Sequence, residues 1–151
     1  MADETSQTFQ QNPILKRLAA FVGTWQWEAS INGQPFGRGR TIWSWLEGGA
    51  FLIEHSDAEQ PEFPAGTTVV SGDDTLGTYC MLQSDSRGIS RIYQMSFDNG
   101  VWQQWREAPG FWQRFSGTFS DDGRMISGRS ERSEDGAKWE IDFDITYTRL
   151  D

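Results

Sequence analysis

One cysteine, Cys80, and one histidine, His55, leave little room for several kinds of chemistry in this chain. A lone thiol forms no internal disulfide and no thiolate metal cluster, and it implies no oxidising compartment. No spacing of His, Cys and carboxylates suggests a metal. No run approaches the ~20 apolar residues of a membrane-spanning helix. Met1 to Gln11 holds acidic and amide residues where a leader would be basic and apolar, so the expected location is the cytoplasm. Cations are scarce as well: 13 Lys and Arg stand against 22 Asp and Glu, a net charge of −9. That balance repels phosphate backbones and anionic lipid, so neither nucleic acid nor membrane is an expected partner.

Aromatic residues, by contrast, are abundant, with eight tryptophans and ten phenylalanines among 151 residues. A chain of this size buries roughly two-thirds of its unfolded surface as one domain, whereas two domains would each have a marginal core. We expect a flexible tail over 1–11 and one folded domain over 12–151. Asn12 suits a cap and Pro13 a first helical position. Ile14, Leu15, Leu18, Ala19 and Phe21 then follow at helical spacing up to Gly23, which predicts one short helix.

Everything after Gly23 reads as strand and turn. Trp139, Ile141, Phe143, Ile145 and Tyr147 alternate strictly with polar residues, as do Trp25, Trp27, Ala29 and Ile31. Turn signals recur about every ten residues, and they predict strands near 24–31, 37–46, 49–56, 67–73, 76–83, 89–97, 101–107, 111–120, 124–133 and 138–149. Ser120-Asp121-Asp122-Gly123 and Ser133-Glu134-Asp135-Gly136 suit three-residue loops, Glu107 to Gly110 a four-residue loop, and Asn99-Gly100 a two-residue turn. These loops set Phe97 against Trp102, Trp102 against Phe115, Gln104 against Gln113, Phe119 against Met125, Phe115 against Arg129, Arg129 against Ile141 and Glu131 against Trp139.

One face then carries Tyr93, Met95, Phe97, Trp102, Phe111, Phe115, Phe119, Met125, Trp139, Ile141, Phe143 and Ile145. The other carries Arg114, Ser116, Thr118, Ser130, Arg132, Asp142 and Asp144. Trp43 and Trp45 are expected inside, opposite Arg38 and Arg40. About ten antiparallel strands with one apolar face close most readily into an all-β, up-and-down barrel, because an open sheet leaves its edges and that face uncovered. A β-sandwich is the competing architecture.

The helix-to-strand entry Phe21-Val22-Gly23-Thr24-Trp25, with its Gly-x-Trp, resembles the opening motif of the calycin superfamily, which includes lipocalins and fatty-acid-binding proteins. With the ending Ser133-Glu134-Asp135-Gly136, Trp139, Asp142-Phe143-Asp144 and Tyr147-Thr148-Arg149, the chain from about Leu15 to Leu150 resembles a family of small, uncharacterised lipocalin-like bacterial proteins. That resemblance implies a barrel with an interior cavity and no assigned activity. It also implies a floor closed by Trp25 with Arg149 packed over it. Nitrobindins, haem-binding relatives, place an iron-ligating histidine near the C-terminus. Tyr147-Thr148-Arg149 has none, so no cofactor is expected. Fatty-acid-binding proteins hold a carboxylate with Arg-x-Tyr on a late strand, a form that Arg91-Ile92-Tyr93 shows on an earlier one.

The predicted pairing puts Gln104, Arg106, Gln113, Arg129 and Glu131 inside among aromatics, with Tyr93 near them. Three readings stay open. Arg129 and Glu131 pair with each other, the polar groups lie at the rim, or Arg106 and Arg129 with the glutamines hold the carboxylate or carbonyl of an otherwise apolar ligand. The leading function is a binding module for a hydrophobic or amphipathic, anionic small molecule. One alternative is a small enzyme of isomerase, cyclase or hydrolase type using His55 or Glu131 as acid/base. Another is an interaction domain with a filled barrel, and a homodimer is an open possibility. The facing of His55 depends on the length of the turn at Glu47-Gly48. Cys80 is expected outside and structural, and the acidic pairs Asp73-Asp74, Asp121-Asp122 and Glu134-Asp135 serve turns.

Overall fold

Helix formation begins where the chain supplies a cap. In the computed structural model, which describes residues 7–151, the Asn12 side chain accepts a hydrogen bond from the Ile14 amide at 3.0 Å, and Pro13 opens α1 (Pro13–Lys16). A 3-10 turn, Arg17–Phe21, continues it. Of the tail expected over 1–11, residues 1–6 lie outside the described residues; Gln11 is tied down by donating to the Gly49 carbonyl at 3.3 Å.

Ten strands follow: β1 (Gly23–Ile31), β2 (Gln34–Leu46), β3 (Phe51–Ala58), β4 (Gly66–Asp73), β5 (Thr78–Asp85), β6 (Ser90–Asp98), β7 (Val101–Arg106), β8 (Trp112–Phe119), β9 (Met125–Ser133) and β10 (Glu140–Arg149). Each pairs antiparallel with the next, and β1 pairs with β10, so the sheet closes into a barrel without a free edge. The all-β barrel and its short helix are as the alternation predicts. At Asn99-Gly100 both residues have positive φ, 50° and 75°, and Phe97 faces Trp102 across the two-residue turn.

Three longer hairpin loops depart from the predicted lengths. The Glu107 to Gly110 turn extends two residues further, setting Gln104 against Phe115 and Trp102 against Gly117; an even shift leaves the inward faces unchanged. After β8 the Ser120 amide donates to the Met125 carbonyl, so the loop spans four residues rather than three and Phe119 meets Ile126. That odd shift turns β9 over. Ile126 and Ser130 point inward and are buried, while Met125 is 44% exposed and Arg129 and Glu131 face out. The third loop sets Glu131 against Ile141, and a bulge between Ile141 and Phe143 then turns β10 back, so Phe143 and Ile145 face inward and Ile141 is 47% exposed. Trp139 precedes β10 and carries the Arg114 guanidinium 4.0 Å over its ring.

The helical segment plugs one end of the barrel. Leu15, Leu18 and Phe21 are buried, and Tyr79 anchors the plug by donating its hydroxyl to the Ile14 carbonyl and accepting from Arg17 Nε at 3.2 Å. Trp25 is fully buried; its indole N–H donates to the Phe21 carbonyl at 2.8 Å, and the Arg149 guanidinium lies 4.2 Å over its ring. Arg149 also donates to the Val22 and Ala20 carbonyls, each at 2.7 Å, which satisfies carbonyls left free as the helical segment ends. Gly23 has φ 139°, and a Cβ there would lie 2.3 Å from Arg149 Nη1, so the motif's glycine makes room for this clamp. We expect Arg149→Leu to cost about 2–3 kcal/mol in urea unfolding, and Arg149→Lys to recover less than half because an ammonium cannot stack and fork at once. Equal midpoints for all three proteins would rule the clamp out.

Candidate functional site

Strand direction places the site. β1 leaves the plugged floor and β2 returns to it, so Leu52 on β3 lies low in the barrel and Glu54 and Ser56 stand in order above it. Inward side chains above the floor enclose a cavity of about 410 Å³. Its deep part is walled by Trp27, Glu54, Thr68, Met81, Trp102 and Tyr147, its upper part by Arg91, Tyr93, Gln104, Gln113, Phe115 and Ser130. The mouth is edged by Phe36, Phe63 and Phe143, whose rings meet edge-on at 5.7 and 6.2 Å, and by Asp85 paired with Arg87 at 2.7 Å. The bond from Arg87 holds the Asp85 carboxyl below its usual range.

Two paired glycines shape one wall. A Cβ on Gly128 would lie 2.4 Å from the Phe115 ring and one on Gly117 3.0 Å away. Their bare backbone lets Phe115 lie against the sheet, with its ring centroid 4.6 Å from that of Trp102.

Polar groups on the upper wall converge. Gln113 Oε1 accepts from the Tyr93 hydroxyl at 2.8 Å and from Arg91 Nη1 at 3.5 Å, and the Arg91 guanidinium sits 5.1 Å over the Phe111 ring. Arg91 has no carboxylate partner among the described residues. Gln104 lines the same cavity.

Glu54 is the carboxyl deepest in the barrel, opposite Trp43 on β2 and Thr68 on β4. Protein surrounds it on all sides, yet part of its surface faces the cavity. Burial alone, with no hydrogen bond and no cation to oppose it, pushes its pKa up from 4.5 to about 7. Tyr147, across the cavity, is raised well above the usual phenol range, first by burial and then by the Glu54 charge, and stays neutral.

Several residues expected inside stand elsewhere. Arg129 pairs with Asp144 at 2.7 Å and Glu131 with Arg114 at 3.1 Å, both on the outer face, so they do not satisfy each other and do not reach the cavity. Arg106 keeps its place opposite Gln113 at the end of β7, but it does not line the cavity and instead borders a surface groove with Trp105, Leu82 and Ile92. His55 points outward from β3, exposed, its Nδ1 3.4 Å from Thr67 Oγ1. Cys80 is exposed on the outer face. Among the described residues no three His, Cys, Asp or Glu side chains gather as metal ligands would. No helix among them is long and apolar enough to cross a membrane.

No family model matches the chain, and no curated protein matches it in sequence. A solved structure does. The barrel is similar to that of Rv2717c from M. tuberculosis. That crystal structure aligns with a TM-score of 0.62 at 15% sequence identity, over 94% of this chain and 100% of that one. A likeness at this identity establishes a shared barrel architecture and leaves the site to be argued from its own side chains.

Glu54, Thr68, Ser130 and Tyr147 were not among the candidate site residues; Tyr147 stands inward as its alternation predicts, whereas Ser130, expected on the outer face, is turned in by the longer loop before β9. The turn at Glu47-Gly48 has neither two nor three loop residues: Leu46 pairs with Phe51 across a four-residue connection whose Glu47, Gly48 and Gly49 all have positive φ. With that length β3 turns His55 out and Glu54 in. Both faces of β3 mix apolar and polar residues, so alternation could not have decided the matter.

Proposed function

We propose that the chain is a binding module of calycin type that holds a small amphipathic molecule in its barrel. The observation that carries this reading is the 410 Å³ cavity, plugged at one end by the helical segment and lined both by aromatic rings and by polar side chains, several of which converge on its upper wall. The apolar body of the ligand lies among Trp27, Trp102, Phe115 and Phe143. An anionic end belongs near the mouth with Arg91, which has a guanidinium free of carboxylates and is held in place by Gln113 and the Phe111 ring. Arg106 and Arg129 take no part. An enzyme built on His55 or Glu131 loses its acid/base, since both stand outside the cavity.

Titration of tryptophan fluorescence with decanoate and with decanol tests the assignment. Both are expected to bind, and Arg91→Leu is expected to weaken decanoate about tenfold while leaving decanol within about twofold. Gln104→Trp, which fills the cavity, should abolish both. Binding that survives Gln104→Trp would place the ligand outside the barrel and overturn the reading.

A further inference from the structure

The deep end of the cavity holds polar groups that find no hydrogen-bond partner among the described residues. Trp102 Nε1 is the one fully buried side-chain nitrogen or oxygen among the described residues with no partner. Its ring centroid lies 6.0 Å from that of Tyr147, whose hydroxyl makes no hydrogen bond to any described residue. Glu54, close enough for its charge to act on that phenol, is likewise unpartnered. The neighbouring strands offer Glu54 nothing that carries charge: β2 presents Thr41 and Trp43, and β4 presents Thr68. Across the cavity β10 presents Tyr147 and β1 Trp27. Arg91 and the Asp85–Arg87 pair are the charged groups of the upper wall and mouth, where Arg114 borders the cavity with its guanidinium turned out to Glu131.

A carboxyl in such surroundings becomes the neutral acid once a ligand displaces water, because burial without a counter-charge disfavours the anion. A neutral carboxyl donates through its O–H, and so does a phenol. We propose that the base of the cavity receives an uncharged carbonyl-type oxygen at the inner end of the ligand, hydrogen-bonded jointly by the Glu54 carboxyl in its acid form and the Tyr147 hydroxyl. The proposal rests on the binding-barrel reading and names what the ligand carries at its buried end. Two donors aimed at one oxygen in a water-poor site discriminate strongly, since the analogue lacking that oxygen leaves both unpaired. Above neutral pH, binding draws a proton onto Glu54, so affinity for such a ligand falls as pH rises.

The test uses 2-acetylnaphthalene and 2-ethylnaphthalene, alike in shape and differing in the carbonyl, titrated by tryptophan fluorescence between about pH 6 and 9. At the acid end the ketone-to-hydrocarbon affinity ratio is expected to be about tenfold larger in wild type than in Glu54→Leu combined with Tyr147→Phe. In wild type the ratio declines above about pH 7, where the carboxyl ionises. Glu54→Gln, whose amide donates at every pH, keeps the ratio high and removes its pH dependence. A ratio unaffected by pH and by these substitutions overturns the proposal while leaving the barrel reading intact, provided the hydrocarbon binds. Failure of both probes to bind any of the proteins removes the barrel reading and this proposal together.

Discussion

Phe21→Ala is expected to destabilise the protein by about 4 kcal/mol, the largest loss among these substitutions. Phe21 is fully buried at the centre of the floor, and its ring lies 5.0–5.1 Å from those of Trp43, Phe97, Trp102 and Phe119, three of the four near-perpendicular or steeply edge-on. Truncation removes the transfer energy of an aromatic side chain and leaves a void that four large rings, each anchored on a separate strand, cannot collapse to fill. For a domain of this size the corresponding drop in Tm is about 10 °C. Phe21→Leu should retain more than half of the stability. A loss for Phe21→Ala within about 1 kcal/mol would show that the rings repack freely and that the floor is not a rigid plug.

Glu54→Leu should have the opposite sign. The carboxyl ionises near 4.5 in the unfolded chain and at about 7 in the folded one, so the folded state holds this proton more tightly. Stability from this group is therefore complete at low pH, is lost as pH rises between 4.5 and about 7, and changes no further above that. The pH-dependent part of the difference between variant and wild type is expected to reach about 3 kcal/mol in favour of the variant at pH 8. Carboxylates held low by hydrogen bonds act in a separate window. Asp144, bonded by Arg129, and Asp135, bonded by the Lys138 and Ala137 amides, contribute stability above their unfolded pKa and lose it as pH falls through the folded one. Urea unfolding of both proteins from pH 4.5 to 8 separates the effects. A difference constant across that range would mean that Glu54 is solvated in the folded protein.

How far the chain could be read from its residues varied along its length. Turn signals about every ten residues marked the ten strands, and period-two alternation gave the inward face wherever apolar and polar residues separate cleanly. Asn99-Gly100 set its register unaided, since both residues take the left-handed conformation a tight hairpin needs. The Ser120 to Arg124 loop misled: its Gly123 has positive φ as expected, but one extra residue enters the turn and β9 rolls over, carrying Arg129 and Glu131 outside. The bulge at Asp142 then turns β10 back, so Phe143 and Ile145 came out inside although the step before them was misplaced. Two parity errors cancelled.

The closed all-β barrel, its one short helix and the aromatic character of its interior follow from the sequence by itself, because they depend on how many apolar residues there are and on their spacing. Gln104 and Gln113 stand inside as their strand positions predict, whereas the facing of Glu54, Ser130, Arg129 and Glu131 was decided only by the tertiary structure. Facing flips with every single residue added to a turn or a bulge, and the energy separating a three-residue from a four-residue connection lies in contacts between strands rather than in the turn's own composition. His55 and Glu54 are neighbours in the chain, and the four-residue turn before them put the acid in the cavity and the imidazole in water.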